Sequence, residues 1–576
     1  MGLSIRRSGY KIVAKSNVYD AIVIGSGITG GWAAKELCER GLTTLVLEKG
    51  PPVVHGASYT TEHKPDYWFA FRGMGDRQRV MIDQPIQSTG GSYNEGSAHF
   101  YANDRLNPYT HDADKPFTWI RGHQLGGKSL LWYRQCYRWS DLDFSANLRE
   151  GIAVDWPIRY ADIAPWYDYV EKFIGVSGRA EGLPQLPDGQ FLPPLPTNVA
   201  EDHMMKVLGE RFPDRRATPG RTAVLTQPHN GRAPCHMCGP CERGCSVGAY
   251  FSSLSSTLPA AQASGRLSVR TNSIVHSIIY DPTRNRASGV NVIDAVTRRS
   301  TEYSAKLVFV CASALESVRL LLNSADTHFK DGLANSSGVL GTHIMDHQWG
   351  IGASGELPGL PLADGYPSGF RPSVVIIPRF RNVPTQNQSF ARGYQMECSG
   401  SRVGWQRGIA QTGLGAALKQ RLKNLGPWQA QFDANGECLP YADNTMRLNK
   451  SVVDAWGIPV PHFAVTYRDN EAKMRTDMAA ACAEMIEAVG AKDITLQSET
   501  SIPGISIHEM GGARMGRDPR TSVLNAYNQS HDIPNLFLTD GACMTSSGNQ
   551  NPSLTYMALT VRACAHAVQQ LRDNRI

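Results

Sequence analysis

The purely apolar stretches of this chain are short runs, placed near its start, its middle and its end. Asp20 to Ile24 is rich in Ile and Val and predicts a strand, a helical pattern follows to about Arg40, and Thr44 to Leu47 predicts a second strand ending in Glu48. Leu307 to Cys311 is a continuous apolar run, the pattern of a strand buried on both faces of a parallel sheet, and it feeds a helix from Ala314 to Asn323. Asn535 to Thr539 repeats the pattern and ends in Asp540-Gly541. A last helix opens at Asn551-Pro552, with Leu554, Met557, Ala558, Val561, Ala565 and Val568 on its buried stripe. Between these runs the pattern changes. Residues 155–176 put Ile163, Trp166, Tyr167 and Val170 on one helical face, and the Pro-rich residues 182–197 read as a connection. Leu267–Arg270 and Ile274–Tyr280 alternate as strands. Residues 346–505 hold proline-rich turns, strand-like 374–377 and 463–466, and an amphipathic helix around 470–489. Residues 51–110 are Gly-, Asp- and Tyr-rich without periodicity and read as loops over a site.

The turn between the first strand and helix is Gly25-Ser-Gly27-Ile-Thr-Gly30. Placed after a strand and before a helix, with an acid ending the next strand, it has the context a dinucleotide fingerprint needs. Gly25 makes the tight turn, Gly27 admits a pyrophosphate to the backbone, and Gly30 lets helix and strand pack closely. The free N–H groups of the helix N-terminus then face the phosphates, and Glu48 stands where a carboxylate accepts ribose hydroxyls. A second glycine-rich stretch, Trp119-Ile-Arg121-Gly-His-Gln-Leu-Gly126-Gly127-Lys-Ser129, suits backbone pressed against a flat or anionic ligand, or an ordinary glycine turn.

Charge narrows the functional classes. Lys+Arg 58 against Asp+Glu 52 gives +6, spread along all 576 residues, which argues against a nucleic-acid binder. No apolar run approaches the roughly 20 residues that span a membrane. The N-terminus has an Arg pair with no apolar segment after it, so no secretory signal is expected. Of twelve cysteines, eight are scattered, as buried thiols are. Four form Cys235-x2-Cys238-x2-Cys241-x3-Cys245, the spacing of bacterial iron–sulfur runs. Zinc accepts four thiolates as well, and two disulfides are open to the same residues in an oxidising compartment.

Three distant segments agree on one family. The Gly25 turn, Arg121–Ser129 and Asn551-Pro-Ser-Leu-Thr resemble the glucose–methanol–choline (GMC) oxidoreductases, as do 310–317 and 341–347. The cysteine run and His508-Glu-Met-Gly-Gly-Ala-Arg-Met-Gly516 look most like bacterial FAD-dependent sugar dehydrogenases, the glucoside 3-dehydrogenases in particular. The resemblance implies an α/β fold, a doubly wound Rossmann-type FAD domain interleaved with an α+β antiparallel-sheet substrate domain. Residues 15–70, 111–154, 226–345 and 506–576 would form the FAD domain, and 71–110, 155–225 and 346–505 the substrate side. It implies non-covalent FAD held by Gly25, Gly27, Gly30, Glu48, Lys49, Arg121, Gly126, Gly127, Ser129, Val275, Ala312, Asp540, Gly541, Asn551 and Pro552. His508 matches the family's catalytic histidine and Asn551 the second catalytic position.

Chemically the pair makes sense. Oxidising an alcohol needs a base for the hydroxyl proton, and imidazole titrates near working pH. A carboxamide cannot act as a base, but it can hold the substrate oxygen. Asn551 before Pro552 reads equally as a helix N-cap. His343 and His347 have i, i+4 spacing and read as structural. The expected activity is oxidation of a secondary hydroxyl of a glycoside at C3, with electrons leaving through a 4Fe-4S or 3Fe-4S cluster on the four cysteines to a c-type cytochrome. The alternative is an oxidase of the same fold that makes peroxide and holds no cluster. The resemblance further implies a small subunit carrying an export signal and hence a periplasmic location, with cytoplasmic residence the alternative. Trp and Tyr residues of 59–110 and 366–432 are candidates for stacking on a sugar ring.

Overall fold

From Ala21 to Ile24 every residue of the first strand (Val18–Ile24) is buried, as a strand covered by helices on both faces must be. It lies between Thr44–Leu47 and Ser300–Val310, parallel to both, and Leu267–Arg270 extends the parallel set beyond Thr44–Leu47. In this computed structural model, residues 17–361, 371–402, 404, 407–408, 411–423 and 425–576 are described. The N-terminal stretch read for a leader lies outside them, as do Tyr366 and Trp405 among the Trp and Tyr candidates.

On the edge away from Val18–Ile24, Ser300–Val310 has two further partners. Its first half pairs antiparallel with Arg286–Asp294, and its apolar second half pairs parallel with Leu536–Leu538. The chain's last strand therefore completes the sheet that its first strand began. Helix Ile28–Glu39 covers the sheet and packs on the last helix, Ser553–Arg572, and on the turn before Leu258–Ala263. The last helix is buried well beyond the expected stripe, since Thr555, Leu559, Thr560 and Cys564 are also fully inside.

The second sheet is antiparallel and six-stranded, in the order 492–497, 348–357, 428–436, 394–402, 375–377, 218–219. One face is apolar. Met396, Cys398, Phe432 and Ala434 meet Met474, Met478, Cys482 and Met485 of helix Asp469–Ala488 in one core cluster. Gly436 lets the helix sit close, since a Cβ there would stand 2.9 Å from the side chains of both Met474 and Met478 and push them aside. The expected elements are largely in place, with helix Tyr160–Ile174 starting five residues later than its periodic stretch, at the end of an Asp-Trp-Pro segment. No helix among the described residues is long and apolar enough to cross a membrane.

Candidate active site

Between the two sheets lies a cavity of about 680 Å³. One end is built on the glycine turn. Gly25 has φ +95°, and a Cβ there would meet Cys311 O at 2.4 Å. At Gly30 a Cβ would sit 2.0 Å from Gly25 O, so the helix can close on the strand only over hydrogen. Gly27 has nothing within 4 Å of its Cβ position. The backbone there opens onto the cavity beside the start of Ile28–Glu39, a cradle into which a dinucleotide pyrophosphate fits. Glu48 is braced rather than free. Ser26 N and Oγ donate to its Oε2 at 3.1 and 2.6 Å, and Gly50 N to its Oε1 at 2.8 Å. Burial pushes its carboxyl pKa up while these hydrogen bonds pull it down.

Of the residues expected at a flavin nucleotide, Gly25, Gly27, Glu48, Lys49, Arg121, Gly127, Val275, Ala312, Asp540, Gly541, Asn551 and Pro552 line this cavity. Gly30, Gly126 and Ser129 lie behind its wall. Gly30 packs on the Gly25 carbonyl, Gly126 on Leu254, and the Ser129 hydroxyl donates to Gly126 O at 2.5 Å. The turn after Val310 carries Ser313 at φ +83°, in the left-handed region that disfavours a side chain, on the cavity wall. Asp540 bridges the Ser317 hydroxyl and Ala542 N, and burial raises its pKa to about 6.

His508 and Asn551 line the same cavity. Ile507, at φ +60°, is a β-branched residue in the left-handed region, and it turns the chain into His508. The loop is held by one buried carboxylate. Asp346 accepts Gly504 N at 2.7 Å, His508 N at 3.1 Å and the Ser506 hydroxyl. Its pKa is raised to about 7, burial being the largest cause. His508 Nδ1 stands 3.0 Å from His347 Nδ1, and His347 Nε2 stands 2.6 Å from Gly548 O. A carbonyl only accepts, so His347 donates from Nε2 and its Nδ1 holds a lone pair. His508 must then donate from Nδ1, which leaves the lone pair on Nε2. Burial first, then His347 and the Lys128 ammonium, hold the His508 pKa well below the ordinary imidazole value. Lys128 is itself paired with Glu509 at 2.9 Å.

The i, i+4 histidines therefore part company. His343 turns to Thr342 Oγ1 at 2.7 Å, whereas His347, read as structural despite a spacing open to a metal, touches the candidate base. Asn551 is not the side-chain N-cap that Asn-Pro suggests. The helix starts at Ser553 with Pro552 at its cap and no side-chain capping bond. The Asn551 Oδ1 instead accepts from Gln395 Nε2 at 2.9 Å, across the boundary between the sheets, which leaves the amide N–H groups to donate.

Cys235, Cys238, Cys241 and Cys245 line one small separate cavity with Val224, Tyr250 and Pro372, and all four are free thiols. Two sulfurs already accept backbone N–H groups, Cys235 from Met237 at 3.4 Å and Cys245 from Ala249 at 3.3 Å. Among the described residues, no group of three or more His, Cys, Asp or Glu side chains stands close enough to hold a metal ion. The cysteine wall is near the larger cavity. The Tyr250 hydroxyl donates to Leu130 O at 3.1 Å, next to Leu131 and Trp132 of the larger cavity's wall.

Comparison with known proteins supplies the family. Residues 221–348 and 440–560 match the N- and C-terminal domains of GMC oxidoreductases. The chain is 28% identical to 2-methyl-1,2-propanediol dehydrogenase of Mycolicibacterium austroafricanum, over 96% of each chain. It is 26% identical to the fructose dehydrogenase large subunit of Gluconobacter japonicus, over 96% of this chain and 98% of that one. Pyridoxine 4-oxidase from Mesorbium loti superposes with TM-score 0.57 over 95% of this chain and 98% of its own, at 15% identity, and so shares the fold. A parallel nucleotide sheet and an antiparallel sheet enclosing one cavity, with both family domains matched in sequence, make this chain a GMC oxidoreductase, an FAD enzyme that acts on CH–OH donors.

Proposed function

We propose that this enzyme is a sugar dehydrogenase that oxidises a secondary hydroxyl of a glycoside, at C3, to the ketone. The observation that carries the reading is the neutral His508 imidazole, tied at Nδ1 to His347, with its Nε2 lone pair in the cavity that also holds the glycine cradle. His508 Nε2 takes the hydroxyl proton. The Asn551 amide donates to the substrate oxygen, oriented by Gln395. FAD, held at the glycine cradle, would supply the acceptor for the hydride that leaves the same carbon. Because His508 is unprotonated at any pH above its lowered pKa, kcat/KM is expected to hold level into mildly acid solution. It should fall only below the ordinary imidazole range, as the pH passes down through that value. A pH–rate profile of anaerobic flavin reduction checks this.

His347→Leu removes the acceptor for His508 Nδ1–H and with it the fixed tautomer. We expect kcat to drop about 10- to 100-fold, as when an orienting partner of a functional imidazole is lost. FAD content should stay unchanged, and the acid limb of the profile should move.

The reading extends to electron exit. Four thiols at iron–sulfur spacing, lining one cavity, support a 4Fe-4S or 3Fe-4S cluster, which would pass electrons outward singly to a c-type cytochrome. The relative named a large subunit supports a small partner subunit here, which would carry the export signal to the periplasm. Purified enzyme should contain iron and acid-labile sulfide at one cluster per flavin. Cys241→Ser should lose the iron and cytochrome reduction while glycosides still bleach the flavin without oxygen. One observation favours the oxidase alternative, namely that no three of the thiols stand at metal-holding distance. Absence of iron together with rapid oxygen uptake and peroxide would establish it.

A further inference from the structure

Strands Tyr394–Arg402 and Trp428–Gly436 have a second face. Their register sets Gln395 opposite Asn435, Glu397 opposite Asp433 and Ser399 opposite Gln431. With a side-chain period of two, these six polar residues share the face away from the Met-rich core. The row begins at the reaction centre, because Gln395 holds Asn551. Glu397, Asp433 and Gln431 line the cavity that contains His508 and Asn551.

The row is short of partners. Among the described residues, no ion pair engages Glu397 or Asp433, and Asp433 accepts only the Gln431 amide, at 3.2 Å. Asn435 is 1% exposed, and neither its Nδ2 nor its Oδ1 has a partner. Buried amides are nearly always hydrogen-bonded, so Asn435 lacks a partner, while Glu397 and Asp433, half-buried on the cavity wall, present their carboxyl groups to whatever fills the cavity. Two carboxyl groups and a carboxamide oxygen accept hydrogen bonds and so call for a ligand rich in hydroxyl donors. Burial first, and then the like charge of Asp433, raises the Glu397 pKa to about 7. The Trp349 indole, on the wall of the same cavity, offers an apolar surface to the C–H face of a ring.

We propose that Glu397 and Asp433, with Asn435 behind them, read the hydroxyl groups of a pyranoside remote from the one oxidised, and so select a polyhydroxylated ring over a simple alcohol. The proposal rests on the dehydrogenase reading above and adds the side chains that choose the substrate. A mono-alcohol would leave both acids without the hydroxyl donors that a sugar ring offers, which is how a hydrogen-bonding site rejects an analogue that lacks the hydroxyl.

The test is stopped-flow anaerobic reduction of the flavin in the holoenzyme, wild type against Glu397→Gln and Asp433→Asn. The probes are methyl glucoside, its deoxy analogues, glucosamine and a simple secondary alcohol. Each variant is expected to lower kcat/KM for the glucoside about 10- to 100-fold, chiefly through KM. Each should be nearly indifferent to one deoxy analogue that the wild type rejects, with little change toward the simple alcohol and FAD content intact. An unchanged ratio of glucoside to alcohol in both variants overturns the proposal while leaving the dehydrogenase reading standing. Wild-type preference for glucosamine that the variants lose also overturns it, because the acids would then be reading a cation. A wild-type flavin that no glycoside reduces defeats both readings together.

Discussion

His508→Ala is expected to lower kcat by about 10²- to 10⁴-fold, the usual contribution of a positioned general base, with FAD still bound and its absorbance unchanged. The reasoning is geometric. The imidazole is anchored by His347 and its backbone by Asp346, and it lines the cavity on the substrate side of the glycine cradle. Among the described residues, no hydrogen bond joins the Gly25–Gly30 turn to this imidazole. Loss of activity without loss of flavin is therefore the signature to look for. A variant that keeps more than a tenth of wild-type turnover would remove His508 from the reaction. His508→Gln sharpens the test, since an amide can hold the substrate oxygen but cannot take its proton.

The second large effect is expected at the glycine turn, where two neighbouring substitutions should fail differently. At Gly30 a methyl group would meet Gly25 O at 2.0 Å, and the obstacle is backbone, which cannot step aside. Gly30→Ala should separate helix Ile28–Glu39 from its strand and give unstable protein largely free of flavin, with a folding cost beyond the ~1–3 kcal/mol of ordinary overpacking. At Gly27 the same methyl group meets no protein atom within 4 Å. Gly27→Ala should fold normally and lose affinity for FAD alone. Thermal melts of the apoproteins together with flavin titration separate the two. Equal melts for both variants would contradict the packing argument.

Much of the nucleotide side of this architecture is legible in the chain because its elements are local. Val18–Ile24, Thr44–Leu47 and Ala314–Asn323 each carry their own periodicity and their own stop residues, and they fall within two residues of where the pattern puts them. The parts that escape are those in which distant residues meet. Gln395 orients Asn551 from 156 positions away, and His347 touches His508 from 161. No spacing rule connects such partners. His347 does show a signal, its i, i+4 relation to His343, but the signal points to a shared helix face. The chain is not helical there, and the two rings diverge. Asn551-Pro552 misleads in the opposite sense, because a local capping rule competes with a long-range hydrogen bond and the long-range bond wins. The polar face of residues 394–402 is written in strict alternation, yet alternation alone cannot tell a face turned to solvent from one turned to a substrate. Cysteine spacing likewise fixes which thiols meet in one pocket but not what they hold.

The strand order also dictates when the protein can become an enzyme during its own synthesis. Leu536–Leu538 closes the sheet begun by Val18–Ile24, and the final helix is the one that buries Ile28–Glu39. The nascent chain therefore carries its nucleotide turn for more than five hundred residues before that turn has a finished support. Flavin capture is therefore expected to follow completion of the sheet, and a chain cut before Leu536 would leave the apolar end of Ser300–Val310 open along one edge.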